Sequence, residues 1–119
     1  MVAIKNKQDL SERFLKFAVA IIKFLKKIPR SIENDVIKHQ LAKSSSSIGA
    51  NYEESQASSS KADFYNKIKI SLKESRETKY WLKIIKHLKL GDQQELSSLL
   101  NESIELMKIL GSISSKQVK

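Results

Sequence analysis

Basic and aromatic side chains alternate along one stretch of the chain in a pattern suited to phosphate binding. They recur at helical spacing between positions 65 and 83: Lys69, Lys73, Arg76, Lys83, Tyr65 and Tyr80. Ammonium and guanidinium groups contact nucleic-acid phosphates, and tyrosine rings stack on exposed bases. The pattern predicts a nucleic-acid surface on one helix face. The alternative is a solvated face whose tyrosines cover the edge of the core.

A second cluster combines carboxylates, an amide and aromatic rings. Its members divide between two stretches of chain: Asn51, Tyr52, Glu53 and Glu54 in the first, and Glu74, Glu77 and Trp81 in the second. A helical hairpin turning near Ser59 would bring the two stretches to the same height. Carboxylates beside apolar surface need partners, because burying an unpaired charge is costly. The cluster predicts a polar network or subunit contact, and the alternative is a ligand pocket.

Catalytic constellations are not recognisable in the sequence. No glutamate precedes a histidine by three residues, the pair that supplies two ligands in di-iron bundles. His39 and His87 have no metal-ligand partner at helical spacing. No histidine follows an arginine by four to six residues, which is the spacing found in bundle-type ribonucleases. The absence of cysteine excludes a thiol nucleophile, and no glycine-rich phosphate loop is present. We therefore expect a protein that is not an enzyme and that holds no cofactor or metal.

Length and composition favour one small basic domain. The chain has 119 residues, 40% of them apolar, with three glycines, one proline and a net charge of +9. So few turn residues exclude a turn-rich all-β fold, and the charge favours polyanionic partners. The most apolar stretch falls short of the ~20 residues needed to span a bilayer. We expect a cytoplasmic protein with no membrane partner.

Apolar residues recur at three- and four-residue steps in four segments, which predicts four amphipathic helices. The predicted helices cover about 8–28, 31–58, 61–90 and 93–110, in a single domain of residues 1–111 followed by a polar tail at 112–119. Pro29 ends the first helix, and Gly91 and Gly111 end the third and fourth. Ser60 and Asp63 have the spacing of a capping box.

The second helix contains a run of serines, Ser44 to Ser47, which are poor helix formers. Because the apolar register continues from Leu41 to Ile48, we expect one unbroken helix in which small residues admit a close neighbour. The short connections between the four helices predict an all-α fold, an antiparallel up-down bundle.

Positive charge concentrates on two of these helices. Residues 1–30 and residues 61–90 each carry a net charge of +6, and the other two quarters are slightly acidic. Lys16, Lys23 and Lys27 therefore join the predicted nucleic-acid surface. The third helix also has a second apolar stripe that includes Trp81 and Ile84, which predicts a contact with another subunit.

Several of these motifs together carry a family resemblance. They are the string Ile48-Gly49-Ala50-Asn51-Tyr52-Glu53-Glu54 and the residues Lys73-Glu74, Glu77-Thr78 and Tyr80-Trp81-Leu82. The sequence resembles the 23S rRNA-intervening sequence proteins, bacterial four-helix bundles, over about residues 9–90. Serines at positions 55, 71 and 75 replace expected alanines.

The resemblance implies a ring-like homopentamer. It also implies kinship with the accessory variability determinant proteins of diversity-generating retroelements, which are basic pentamers that bind nucleic acid and associate with a reverse transcriptase. The family name records where some of the genes lie and states no molecular activity.

Three functional hypotheses follow from the sequence. The first is a non-catalytic oligomeric scaffold that binds RNA or DNA through the basic faces of the first and third helices. The second is an oligomeric protein-interaction module that binds no nucleic acid. The third is a nuclease that depends on Glu74 and Glu77, for which no catalytic constellation is recognisable.

Overall fold

The computed structural model describes residues 7–118, and this part of the chain forms four α-helices. They are α1 (Lys7–Lys26), α2 (Ile32–Gln56), α3 (Lys61–Leu88) and α4 (Gln93–Ser114). No strand is found among the described residues. The prediction of an all-helical chain with four helices is therefore confirmed. No helix in this part of the chain is long and apolar enough to cross a membrane.

Side-chain caps begin the last three helices. The serine hydroxyls of Ser31 and Ser60 accept hydrogen bonds from backbone amides three residues later, each at 3.0 Å, and the Asp92 carboxylate does the same at 2.8 Å. Each cap satisfies an amide that has no partner within the helix, which contributes about 1 kcal/mol. These caps explain why the predicted starts near Ser31, Ser60 and Asp92 agree closely with the structure.

The ends of α3 and α4 differ from the prediction. The third helix ends at Leu88, and Lys89 adopts the left-handed conformation that closes it, with φ of 57°. Gly91 also has a positive φ, but it lies in the connection beyond the cap. Gly111 does not end α4, which continues to Ser114 and places Ile113 against the core. The predicted polar tail is therefore partly helical, because a single glycine costs a helix only about 1 kcal/mol.

The serine run does not interrupt α2. The Ser46 hydroxyl donates to the carbonyls of Ala42 and Lys43 at 2.8 and 3.1 Å, so the helix itself satisfies it. The small residues that follow admit α1 closely: a Cβ on Gly49 would lie 3.1 Å from the Cβ of Phe14. The predicted continuous helix is confirmed.

Each helix packs against the next along the chain, and α1 also contacts α4. Helices α2 and α3 run in opposite directions. Lys67 near the start of α3 contacts Glu54 near the end of α2, and Thr78 further along α3 contacts Ser44 earlier in α2. Within residues 7–118 no Cα atom of α1 lies within 8 Å of a Cα atom of α3, so these two helices lie diagonally across the core. That core is aromatic and aliphatic, and its largest fully buried side chains include Phe14, Phe24 and Ile21.

Gly91 should be intolerant of a side chain, because two constraints act on it together. Its φ is +74°, and a Cβ there would lie 2.7 Å from the buried ring of Phe24. We expect Gly91→Ala to lower the free energy of unfolding by about 2 kcal/mol or more, from the left-handed backbone and the displaced ring. Urea denaturation followed by circular dichroism measures this change.

Gly111 provides the matched control. It lies within α4, and a Cβ there would meet nothing within 4 Å. Gly111→Ala should therefore leave stability unchanged or raise it by up to about 1 kcal/mol. Equal effects of the two substitutions would contradict this account of the α3–α4 connection.

Candidate nucleic-acid interface

The outer side of α3 carries the predicted basic residues as one continuous surface. We call it the α3 basic face and define it by Tyr65, Lys69, Lys73, Arg76, Tyr80 and Lys83. All four cations are exposed, and none contacts a carboxylate among the residues that the structure describes. Four cations on one helix face without counter-charges attract phosphates.

The two tyrosines of this face differ in accessibility. Tyr80 is 61% exposed, and its ring meets Trp81 edge-on with centroids 5.8 Å apart. Tyr65 is half-buried, with its ring edge-on to Phe64, and it lines a shallow depression with Gln117 and Val118. Tyr80 is therefore available for base stacking, whereas the C-terminal segment lies beside Tyr65.

The predicted α1 residues do not extend the α3 basic face. Lys16 and Lys23 are exposed, but they belong to the helix that lies diagonally opposite α3. Lys27 donates a hydrogen bond to the Glu95 carboxylate of α4 at 3.0 Å. The basic faces of α1 and α3 are thus two separate surfaces, and one of the predicted α1 cations has a counter-charge.

Helix α4 directs its carboxylates towards α1. The Arg13 guanidinium of α1 donates two hydrogen bonds to Glu102, at 2.7 and 2.8 Å. This side-chain hydrogen bond to Glu102 raises the pKa of Arg13, against the opposing effect of partial burial. Together with the pair between Lys27 and Glu95, it offsets positive charge on the α1 side, whereas no α4 carboxylate forms an ion pair with a cation of α3 within residues 7–118.

Hydroxyl groups, rather than carboxylates, form the buried polar contact between α2 and α3. Ser71 donates to the Ile48 carbonyl at 2.7 Å, and the Thr78 and Ser44 hydroxyls lie 2.9 Å apart. All three of these hydroxyl-bearing residues are at most 1% exposed. These small side chains form their hydrogen bonds within the interface, and their size lets the two backbones approach closely.

The predicted cluster on α2 is divided among different neighbours. The Asn51 amide donates to the Ser47 carbonyl of its own helix at 2.9 Å. Tyr52 is buried against Phe14 of α1, with ring centroids 5.0 Å apart, and burial raises the pKa of its phenol. Glu53 is exposed beside the groove between α1 and α2. These three side chains do not join Glu74 and Glu77 in one network.

On α3 one of the two carboxylates of the predicted cluster has a hydrogen-bond partner among the described residues. The Trp81 indole donates to Glu77 at 3.2 Å, one helical turn away. Glu74 is half-buried, and its carboxylate has no hydrogen bond or ion pair among the described residues. At the outer edge of the same interface, Lys67 reaches Glu54 at 3.0 Å, and this hydrogen bond raises the pKa of Lys67.

A stripe of apolar side chains remains uncovered along the outer edge of α2 and α3. Trp81 and Ile84 are half-buried, and Leu88 is 53% exposed. On α2, Ile32 and Val36 are 83% and 55% exposed. Val36 lies five helical turns before Glu54, which contacts α3, so it shares that side. We call these five residues the α2/α3 apolar stripe.

A second apolar strip lies along α1. Leu15, Val19 and Ile22 are exposed. Leu15 borders a groove of about 460 Å³ with small residues of α2, among them Gly49 and Ala50. The molecule thus presents two different uncovered apolar surfaces.

Sequence reasoning missed the cations that face α4. Lys79, Lys86 and His87 line a cleft between α3 and α4 together with Lys83. Lys79 and Lys86 share a helix side with the apolar core stripe, so the sequence pattern did not assign them to an outer face. Their seven-residue spacing was the available signal, because it places both on one side of a helix. No group of three metal-ligating side chains is found among the described residues.

A family model and a solved structure both relate this chain to one protein family. The family model of the 23S rRNA-intervening sequence proteins matches residues 6–112. A crystal structure of a protein of unknown function from the S23 ribosomal protein family of Bacteroides thetaiotaomicron superposes with a TM-score of 0.82. It is 36% identical and covers 90% of this chain and 99% of its own. A search of the curated proteins finds no match.

The buried hydroxyls generate a prediction about α2–α3 packing. Ser71→Ala removes a hydrogen bond between helices, whereas the Ser75 hydroxyl donates to Leu72 of its own helix. We expect Ser71→Ala to lower the free energy of unfolding by about 1 kcal/mol. Ser75→Ala should change it by less than about 0.5 kcal/mol, since alanine favours the helix. Urea denaturation compares the two, and a larger loss for Ser75→Ala would contradict the assignment.

Proposed function

Because the chain belongs to the 23S rRNA-intervening sequence protein family, whose name states no molecular activity, we propose its function from the charge of its surfaces. The protein is a non-catalytic oligomeric scaffold that binds nucleic acid through the α3 basic face. The observation that carries this proposal is that the cations of this face, Lys69, Lys73, Arg76 and Lys83, have no carboxylate partner among the described residues.

The binding is electrostatic and tolerant of sequence. Exposed lysines on a helix that lies on the bundle surface reach phosphates but not the edges of paired bases. Tyr80, exposed next to them, adds stacking on unpaired bases. Lys16 and Lys23 of α1 supply a second, weaker binding surface on the diagonal helix. One straight segment of nucleic acid cannot contact this surface and the α3 basic face of the same molecule together.

An up-down bundle assembled into a ring accounts for the uncovered apolar surfaces. A ring built from head-to-tail contacts needs two different surfaces on each subunit. The α2/α3 apolar stripe and the α1 strip at Leu15, Val19 and Ile22 are two such surfaces. The homopentamer that the family resemblance implies would repeat the α3 basic face around the ring, and effective concentration would strengthen weak contacts.

The proposal predicts nucleic-acid binding that depends steeply on salt. Four phosphate contacts per subunit imply a loss of affinity of roughly fiftyfold for single strands and roughly 150-fold for duplexes between about 50 and 200 mM salt. Fluorescence anisotropy of labelled single- and double-stranded RNA and DNA measures this loss. Lys69→Glu with Lys73→Glu should weaken binding by about tenfold or more at the lower salt concentration.

A charge-matched control separates the α3 basic face from net charge. Lys43 and Lys108 are exposed on α2 and α4, outside the α3 basic face. Lys43→Glu with Lys108→Glu changes the total charge equally and should weaken binding much less. Affinity that is unaffected by salt, or equal losses for the two double variants, would refute binding through the α3 basic face.

The second candidate function is a protein-interaction module without nucleic-acid binding, and the α2/α3 apolar stripe favours it. The scaffold and the module share the same oligomer, so only polyanion binding distinguishes them. No detectable binding to any of the labelled nucleic acids at low salt would favour the module.

The α2/α3 apolar stripe predicts an oligomer that depends on Trp81. Trp81→Ala and Leu88→Glu should each lower the molar mass measured by multi-angle light scattering, because both remove apolar contact area. Leu88 is 53% exposed, so its substitution leaves the core intact. Tyr65→Ala is the control, an aromatic truncation on the same helix about four turns from Trp81. Wild-type mass for both stripe variants would exclude the stripe from the subunit interface.

A further inference from the structure

The cleft between α3 and α4 is open to solvent and concentrates positive charge along one wall. It has a volume of about 330 Å³, within the range of small-ligand sites. Its α3 wall carries Lys79, Lys83, Lys86 and His87. None of the three lysines contacts a carboxylate within residues 7–118.

Helical spacing forces these cations together. Lys79, Lys83 and Lys86 follow one another at steps of four and three residues, which places them on adjacent turns of one side. Like charges at this spacing destabilise a helix. Lys79 is also half-buried, whereas Lys83 and Lys86 are exposed. A bound anion would relieve the repulsion between the three charges.

The opposite wall, from α4, is polar but uncharged. It presents Gln93, Ser97 and Asn101 to the cleft. The carboxylates of α4 lie on the other side of the helix, where Glu95 pairs with Lys27 and Glu102 with Arg13. The cleft therefore combines strong positive charge with amide and hydroxyl groups that both donate and accept hydrogen bonds.

The floor of the cleft is apolar. Leu96 is buried there, and Leu100 and Ile104 are half-buried. A ligand that matches all three surfaces needs a multiply charged anionic end, a flat or apolar body, and hydrogen-bonding groups along one edge. A simple inorganic anion would leave the apolar floor uncovered, and an acyl chain would make no use of the Asn101 amide.

We propose that the α3/α4 cleft binds a nucleotide through a terminal phosphate or polyphosphate. Lys79, Lys83 and Lys86 hold the phosphates, the base lies on the floor formed by Leu96, Leu100 and Ile104, and Asn101 bonds its edge. Three lysines within about two helical turns exceed the single charge of a phosphodiester, so the cleft favours a group with two or more charges. The ligand is either a free nucleotide or the 5′-triphosphate end of an RNA.

This site extends beyond the proposed function, because a free nucleotide would bind there without any contact to the outer side of α3. Only Lys83 belongs to both the cleft and the α3 basic face, and it lies where the two surfaces meet. Variants that avoid Lys83 therefore test the two surfaces separately.

The experiment titrates the protein with a fluorescent N-methylanthraniloyl derivative of ATP at about 150 mM salt and displaces it with ATP, inorganic triphosphate or adenosine. We expect ATP to displace the probe best and adenosine worst. Lys79→Ala with Lys86→Ala should weaken probe binding by about tenfold or more, since each lysine supplies a charge-assisted hydrogen bond. Asn101→Ala should weaken it without changing the charge.

The matched control is Lys69→Ala with Lys73→Ala, which removes the same charge from the same helix outside the cleft. It should change probe binding by less than about twofold. Circular dichroism confirms folding of each variant, and alanine preserves the helix. Absence of binding at millimolar probe, equal losses in the two lysine pairs, or no effect of Asn101→Ala would overturn the proposal.

Two RNAs of one sequence, with a 5′-triphosphate or a 5′-hydroxyl end, identify the source of the ligand. Preference for the triphosphate end that is lost in Lys79→Ala with Lys86→Ala supports an RNA end, whereas ATP binding with equal affinity for both RNAs supports a free nucleotide. Binding of the 5′-hydroxyl RNA without ATP binding overturns the proposed cleft site and leaves the proposed function standing. ATP binding without RNA binding supports the proposed cleft site and overturns the proposed binding of nucleic acid by the α3 basic face.

Discussion

The unequal charge of the two sides of α4 determines how the whole surface is polarised. Its carboxylates face α1, where Glu102 holds Arg13 through two hydrogen bonds and Glu95 holds Lys27. Its side towards α3 is neutral, with Gln93, Ser97 and Asn101 along the cleft. Because α4 is in contact with both basic helices, this arrangement offsets the charge of one and leaves that of the other free to attract anions.

The close contact of α2 with α3 sets the orientation of that free charge. Hydroxyls of Ser71, Thr78 and Ser44 take the place of large apolar groups in the interface and join the two helices at fixed heights. Since a helix is rigid, fixing these positions also fixes which side of α3 faces solvent. The exposed cations and the side chain of Tyr80 face solvent because the buried hydroxyls hold the other side of α3 against α2.

Helix α3 thereby separates two kinds of outer surface. The cations of the α3 basic face lie on the outer side, and Lys79 and Lys83 line the cleft towards α4. Trp81 lies on the side of Glu74 and Lys67, and Lys67 contacts α2. An apolar contact on one side and anion binding on the other do not compete for the same side chains. The proposed oligomer and the proposed binding of phosphates are therefore compatible in one small subunit.

Apolar periodicity and capping predicted the four helices and the cap at Ser60, because both act between residues a few positions apart. The basic pattern also predicted Lys69, Lys73 and Arg76 as exposed cations. The diagonal placement of α1 and α3 was apparent only in the folded chain. Likewise, Lys27 pairs with Glu95 and Tyr52 turns towards Phe14 through contacts between segments far apart in the chain. Periodicity shows which side of a helix is apolar but not which helix lies beside it, so the cleft of Lys79 and Lys86 emerged only from the fold.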